Sequence, residues 1–372
     1  MYLRSGPYEP SEKSYNLQEV GMLTEFCKLG YDCDLFYYGK HDKIQITEFK
    51  NGNKLTIHWI KGIRILRSGI YPQLLQKKRL SKYDFIICSE YSQIMTVLLS
   101  LLHRNVFCYN GPYYNLFKIK IVERIYDFLF VPILNERIKL FFCKSLLAEN
   151  YLHGKGIKNT SVIGVGQNTD KFVIKENEIP SEDTTKILDL IDEFTFLFVG
   201  TLDDRKNFSF LIRSFKLAFK SNSKVKLLII GKGKKKYIEK ELAVLSKKER
   251  ENIKIINFLP NNQLKFIYPK ARALLLPSKL EIFGMVMLEA MSCGLPVISS
   301  FNGGSQCLIK SHENGIIADI SNPIVWADSM LLLLDDSIYA EYSENSKETI
   351  NNGFTWPIII KKMEAEFLRR NR

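Results

Sequence analysis

The sequence predicts an α/β protein of two domains, each a parallel sheet with helices packed over it. Three observations predict it. Short apolar runs alternate with segments of helical period along the whole chain, the pattern of strands buried between helices. The length, 372 residues, suits two ordinary domains, each large enough to bury its own core. The alternation lapses in a polar stretch around Pro180 and then restarts.

In the first half a strand at residues 1–4 precedes a helix near 17–29, which Gly30 ends. Apolar runs place strands at 32–38, 63–66, 85–88 and 106–109, with a helix at 91–102 between the last two. Residues 114–142 have helical period, interrupted at Pro132 because proline lacks the N–H that a helix interior needs. A short strand at 141–143, a helix at 145–153 opened by Ser145, and a strand at 161–165 complete this half. The N-terminal domain is therefore set at residues 1–172 and the linker at 173–190. The C-terminal domain spans 191–356, with strands at 195–199, 226–230, 253–258, 273–276 and 296–299. Helices are expected at 207–221, 236–245, 262–268 and 284–293, then at 323–334, 337–351 and 357–372.

Composition narrows the class. The chain is 46% hydrophobic and 25% charged, which excludes a disordered chain. No secretory start is visible, and the longest apolar runs fall short of the roughly 20 residues of a spanning helix. Seven scattered cysteines without a C-x-x-C pair argue against a disulfide scaffold or a structural zinc site, so a cytoplasmic location is expected. The net charge of +13 is uneven: residues 51–150 carry 15 basic and 6 acidic groups, and residues 201–300 carry 20 and 8. Such segments attract a phosphorylated small molecule, an anionic membrane surface or nucleic acid. Nucleic acid is set aside, because no zinc-finger spacing, aromatic RNA-binding strand or basic zipper accompanies the charge. The Lys232–Lys236 run reads equally well as a solvated loop.

The most informative segment is residues 277–296, which follows the buried strand at 273–276 and so lies at a carboxyl-end edge of a parallel sheet. Gly284 opens a helix, Gly294 closes it and Pro296 stops its continuation. The N–H groups of Phe283, Gly284, Met285 and Val286 then face outward at the positive end of the helix dipole, where a diphosphate is bound readily. Glu281 and Glu289 lie on either side of this anion site, about 10 Å apart on helix rise. Carboxylates suit diols, so Glu289 would hold ribose hydroxyls and Glu281 sugar hydroxyls. On spacing alone a surface residue at 289 and a solvated loop residue at 281 fit as well.

A second element is the stretch from Phe198 through Gly200 to Arg205, Lys206 and Asn207. A strand ends at Gly200, and two cations stand at the start of a helix, where the dipole opposes them unless they serve an anion. Gly231, in an Ile230-Gly-Lys-Gly233 turn after the next strand, would let a flat base approach the backbone.

With these residues in view the chain resembles glycosyltransferase family 4, retaining enzymes of the GT-B type with two Rossmann-like doubly wound domains facing a cleft. Val199-Gly-Thr-Leu-Asp-Asp-Arg-Lys-Asn207 is similar to the family's diphosphate loop. The run from Glu281 to Glu289 matches its Glu-x7-Glu motif with the E-x-F-G start intact. Gly303-Gly304 and Glu313-Asn-Gly315 resemble its later loops; Tyr15-Asn-Leu-Gln-Glu19, Gly30-Tyr-Asp-Cys-Asp34, Cys143-Lys-Ser145 and residues 162–170 resemble elements of its first domain. The resemblance implies a nucleotide-sugar donor, with UDP ahead of GDP, bound by the C-terminal domain. Glu281, Phe283, Gly284 and Met285 would contact the donor sugar or its phosphates, Glu289 the ribose, and Arg205 and Lys206 the leaving diphosphate. Catalysis is assigned to Glu281, Arg205 and Lys206; Gly200, Gly231 and Val286 complete the donor contacts. No cofactor and no obligatory metal are implied. The acceptor would be a glycan or lipid-linked saccharide of cell-surface polysaccharide or glycolipid assembly, held by the N-terminal domain, with Gly6 and Asn110 on its side. The helix at 357–372 would cross back to that domain.

Departures from the family pattern are specific. Its glycine-rich first loop is reduced to Ser5-Gly6-Pro7 after a short first strand, as in a chain trimmed at its start. Tyr109-Asn110-Gly111 stands where relatives place a histidine, and Ser305-Gln306 where many have glutamate. The five histidines, His41, His58, His103, His153 and His312, read as structural or surface groups. Asp32-Cys33-Asp34 has the form of a metal-binding Asp-x-Asp but begins a strand with no nucleotide loop nearby. Residues 118–139 alternate apolar groups with Lys118, Lys120, Arg124, Arg137 and Lys139. They fit either peripheral association with an anionic membrane, at its inner face, or a core helix with a solvated charged face. The rival functions are an epimerase-like or phosphorylase-like enzyme on the same fold, and a non-catalytic nucleotide-sugar-binding module. An epimerase would lack the E-x-F-G start, a phosphorylase would need a pyridoxal lysine and a much longer chain, and the intact Glu281, Glu289, Arg205 and Lys206 argue against a non-catalytic module.

Overall fold

The apolar runs pair into two separate parallel sheets in a computed structural model, which describes residues 1–10, 17–65, 67–117 and 119–371. Tyr15, Asn16, Leu66, Lys118 and Arg372, used above, lie outside the described residues. The chain divides into two units, Met1–Gly166 with Trp356–Arg372, and Gln167–Thr355.

In the first unit the strands are β1 (Tyr2–Leu3), β2 (Cys33–Tyr38), β3 (Lys43–Glu48), β4 (Lys54–Ile60), β5 (Ile63–Ile65), β6 (Ser68–Ile70), β7 (Ile86–Ser89), β8 (Val106–Asn110), β9 (Ile138–Cys143) and β10 (Thr160–Val162). Eight of them form one sheet in the order β10-β9-β8-β7-β1-β2-β4-β3, parallel except where β3 pairs antiparallel with β4. A core of Leu3, Phe36, Cys88, Met95, Cys108, Leu134 and Phe141 lies against it. The β3–β4 hairpin is not among the predicted elements. Its signal is an Asn51-Gly52 turn, with Gly52 at φ +84°, between two runs of alternating polarity. Of the run predicted as a strand at 63–66, the described part, β5, pairs with β6 in a two-stranded hairpin outside the main sheet. Pro132 does not interrupt the helix Lys120–Arg137. It sits on the exposed face, one turn beyond the exposed Phe128, whose carbonyl loses the N–H partner a proline cannot supply.

The second unit contains β11 (Thr195–Val199), β12 (Lys226–Ile230), β13 (Ile253–Ile256), β14 (Leu274–Leu276), β15 (Val297–Ser299) and β16 (Gly315–Ile317). They form one wholly parallel sheet in the order β13-β12-β11-β14-β15-β16. The helix Phe208–Ser221 covers it with Phe208, Leu211, Ile212 and Phe215, beside Trp326 and Met330 of the helix Pro323–Leu332. Strand order reverses between β11 and β14, so the loops leaving their carboxyl ends flank a crevice suited to a ligand. This unit opens at Gln167, and the stretch 173–190 contains the helix Glu182–Leu188, capped by Ser181. The helix Trp356–Asn371 belongs to the first unit. Among the described residues no helix is long and apolar enough to cross a membrane.

Candidate active site

The loop after β11 is folded by its own side chains. Asp203 accepts the Lys206 backbone N–H at 2.8 Å through Oδ1 and the Thr201 hydroxyl at 2.8 Å through Oδ2. Asn207, at φ +56°, then turns the chain into the helix Phe208–Ser221. The Lys206 side chain is folded inward and only 8% exposed. Its Nζ donates to Glu281 Oε2 at 2.5 Å. Arg205 remains half exposed, with Nη1 at 3.7 Å from the same Oε2 and 3.3 Å from the Leu280 carbonyl it donates to. The Lys279 N–H donates to the Arg205 carbonyl at 2.9 Å, and Lys279 Nζ pairs with Asp204 at 2.6 Å, tying the loops after β11 and β14 together. Arg205, Lys206 and Glu281 thus meet at the sheet's switch point.

Glycines let the backbones approach. A Cβ at Gly231 would lie 1.7 Å from the Gly200 carbonyl oxygen, and one at Gly304 the same distance from the Phe283 carbonyl oxygen. Gly231 therefore has a steric reason to be glycine whether or not a base lies against it. Gly284 caps the helix Met285–Ser292 at φ +78°, in the left-handed region that a side chain opposes. Phe283 is buried, and Met285 and Val286 are half buried at the helix amino end. The Ser305 hydroxyl accepts from the Asn302 N–H in a capping box, which accounts for serine there.

Glu289 has partners of its own. It is 2% exposed; Oε2 accepts from the Tyr268 hydroxyl at 3.0 Å and Oε1 from Asn261 Nδ2 at 3.2 Å. Burial pushes its carboxyl up to about 7, against the opposing pull of those two hydrogen bonds and of Lys171. Glu289 is thus not a surface residue. Tyr268 and Asn261 are partners of Glu289 that sequence reading missed. Asn261 carried a positional signal, standing just beyond β13 at the same sheet edge; Tyr268 carried none.

In the first unit Asn110, at the end of β8, is fully buried. Its Oδ1 accepts the Tyr91 N–H at 3.2 Å and its Nδ2 donates to the Pro112 carbonyl at 3.1 Å. Gly6 lies after β1 against the Tyr8 ring. Among the described residues no hydrogen bond joins the two. In the Asp-x-Asp, Asp34 accepts from Tyr83 at 2.6 Å and pairs with His58 at 2.8 Å, while Asp32 accepts the Lys54 N–H at 2.9 Å. Among the described residues no group of three or more His, Cys, Asp or Glu is gathered to hold a metal.

Comparison with known proteins bears on the second unit first. Residues 182–354 match the profile of the family described as glycosyl transferases group 1. An uncharacterized glycosyltransferase of Methanocaldococcus jannaschii is 34% identical over 174 residues, 46% of this chain and 44% of that protein. The capsular polysaccharide biosynthesis glycosyltransferase CapM of Staphylococcus aureus is 26% identical over 257 residues, 64% of this chain and 65% of its own. The chain thus spans less than half of the first of these relatives. The solved structure of Anabaena HepE in complex with UDP superposes with a TM-score of 0.74 at 18% identity, over 99% of this chain and 98% of that one. The fold is GT-B, with two Rossmann-like α/β units.

Proposed function

We propose, from a C-terminal unit that carries a glycosyl transferases group 1 domain, that this chain is a retaining, metal-independent glycosyltransferase acting in the cytoplasm. It would move a sugar from a UDP-linked donor to a glycan or lipid-linked saccharide of cell-surface polysaccharide assembly. The observation that carries the reading is the meeting of Arg205, Lys206 and Glu281 on the loops leaving β11 and β14. UDP is supported by the neighbour solved with UDP, and the polysaccharide acceptor by the relative named for capsule biosynthesis.

The chemistry follows from these groups. The donor diphosphate lies at the amino end of the helix Met285–Ser292, where Gly284 lets it near the backbone and the dipole favours negative charge. Lys206 is already oriented by Glu281, so it stabilises charge growing on the leaving diphosphate with little reorganisation. Arg205, more exposed, adds a second cation. Glu281 is left to accept from the sugar's hydroxyls and Glu289 from the ribose hydroxyls. The bond from the anomeric carbon to the phosphate oxygen breaks, the acceptor hydroxyl forms its bond from the same face, and its proton passes to the departing phosphate. No protein nucleophile is needed.

A panel of UDP- and GDP-sugars tests the reading, first by thermal shift and then by donor hydrolysis. At least one UDP-sugar should raise the melting temperature and be hydrolysed; stabilisation by none of the panel would remove the assignment.

A further inference from the structure

The helix Lys120–Arg137 of the first unit buries Glu123, Tyr126, Val131 and Leu134 on one side. On the other, Ile121, Ile125, Phe128 and Leu129 are between 51% and 82% exposed, Phe128 the most. Residues 121, 125, 128 and 132 stack along one helix face, with 129 beside them, and Pro132 is exposed too. Single exposed apolar side chains are ordinary, but four large ones over three successive turns form a patch, and patches mark interaction sites. Ile119, just before the helix, extends it at 58% exposure.

The charges are sorted around this face. Lys120 and Arg124 flank it, exposed, and neither takes part in an ion pair among the described residues. The acids are drawn to the opposite side: Lys155 pairs with Glu123 at 2.9 Å and Asp127 at 2.8 Å, and Tyr151 donates to Glu123. The one exposed acid, Glu136, is paired with Arg137 at 3.2 Å. Apolar side chains on a helix face, cations at its flank and acids turned inward compose a helix that lies in the plane of an anionic lipid interface.

We infer that this helix docks the first unit on an anionic bilayer. Ile121, Ile125, Phe128 and Leu129 enter the boundary between headgroups and acyl chains, and Lys120 and Arg124 meet lipid phosphates. A protein partner would bury the same apolar stripe, but it would give no reason for two free cations beside it and for acids drawn away. The inference stands apart from the sugar-transfer reading, and its test reads binding only.

The full chain is sedimented with vesicles of phosphatidylcholine alone and of phosphatidylcholine with phosphatidylglycerol, at low and high salt. Wild type should bind the mixed vesicles at low salt and lose most binding at high salt or on the neutral ones. Phe128→Glu and the double variant Lys120→Glu, Arg124→Glu should each reduce binding at least about tenfold with unchanged thermal midpoint, since the replaced side chains are exposed. Absence of wild-type binding at low salt overturns the inference, as does equal binding by both variants. Conversion of a dimer to a monomer by Phe128→Glu in sedimentation velocity also overturns it, because the face would then belong to a second copy.

Discussion

Lys206 and Glu289 are both buried charged residues, and they are buried in opposite ways. Lys206 is neutralised by Glu281 at 2.5 Å, whereas Glu289 has hydrogen-bond donors and, among the described residues, no ion pair. Removing the Lys206 ammonium takes away a prearranged charge beside Glu281, where Arg205 stands farther off at 3.7 Å. Lys206→Ala should therefore lower turnover of the UDP-sugar identified in the donor panel at least about a hundredfold, measured by product release. A near-normal rate would remove Lys206 from the catalytic set. Glu289 makes a pH prediction. Its carboxyl is raised in the fold to about 7 from an ordinary value near 4.5, so between those values the native state holds more proton than the unfolded chain. Stability then falls as pH rises through that window, by up to about 3 kcal/mol. Glu289→Gln should gain stability relative to wild type from pH 5 to 8, read by denaturant unfolding. Ribose hydroxyls favour the ionised carboxylate, so affinity for UDP-glucose, whose phosphates do not titrate here, should rise across the same range and flatten in the Gln variant. Arg205, Lys206, Glu281 and Glu289 were legible because they stand in two short motifs next to strand ends. The burial of Glu289 was not, because Tyr268 and Asn261 reach it from segments 21 and 28 residues away in sequence.

At the scale of elements, the site depends on loops that touch backbone to backbone. The loops after β11 and β12 are joined by Gly200 N–H to Ile230 O at 3.0 Å and Leu202 N–H to Lys232 O at 2.8 Å, with Gly231 facing the Gly200 carbonyl. Gly231→Ala puts a methyl group 1.7 Å from that oxygen, so the loop that carries Lys206 must shift. The expected cost is about 1–3 kcal/mol of stability, with weaker donor binding beyond it, read by thermal unfolding and calorimetric titration. An unchanged donor affinity would mean that the β11 loop tolerates displacement and that its cations are not positioned by this contact. Elements of the second sheet were readable because each strand is a short apolar run bounded by turn residues. The β3–β4 hairpin was not, because β3 is an edge strand, exposed along nearly its whole length, and carries little apolar pattern beyond Ile44 and Ile46. Pro132 misled for a related reason: a proline in the exposed face of a long helix costs less than one on a packed face.

For the whole molecule, the chain leaves the first unit at residue 166 and re-enters it at 356, so the first unit is finished by the last sixteen or so residues. Local periodicity announces a helix there but says nothing of which sheet receives it. The marks of its seat are two glycines far away in sequence: a Cβ at Gly21 would lie 2.3 Å, and one at Gly166 2.5 Å, from the Trp356 indole. Phe367 then enters an aromatic cluster, stacked with Phe26 at 5.7 Å and Phe85 at 4.8 Å and edge-on to Phe107 at 4.5 Å. These contacts all fall within the first unit, and the second unit has a separate core. Unfolding should accordingly proceed in two calorimetric steps rather than one. Phe367→Ala removes a fully packed ring and should cost the first unit about 3–5 kcal/mol. For a unit of this size that lowers one transition by on the order of 10 °C and leaves the other in place. A bound UDP-sugar should move the opposite transition, since every proposed donor contact lies in the second unit. If Phe367→Ala shifted both transitions equally, the two units would share one cooperative core, and the separate stability of the donor unit would be lost as a premise.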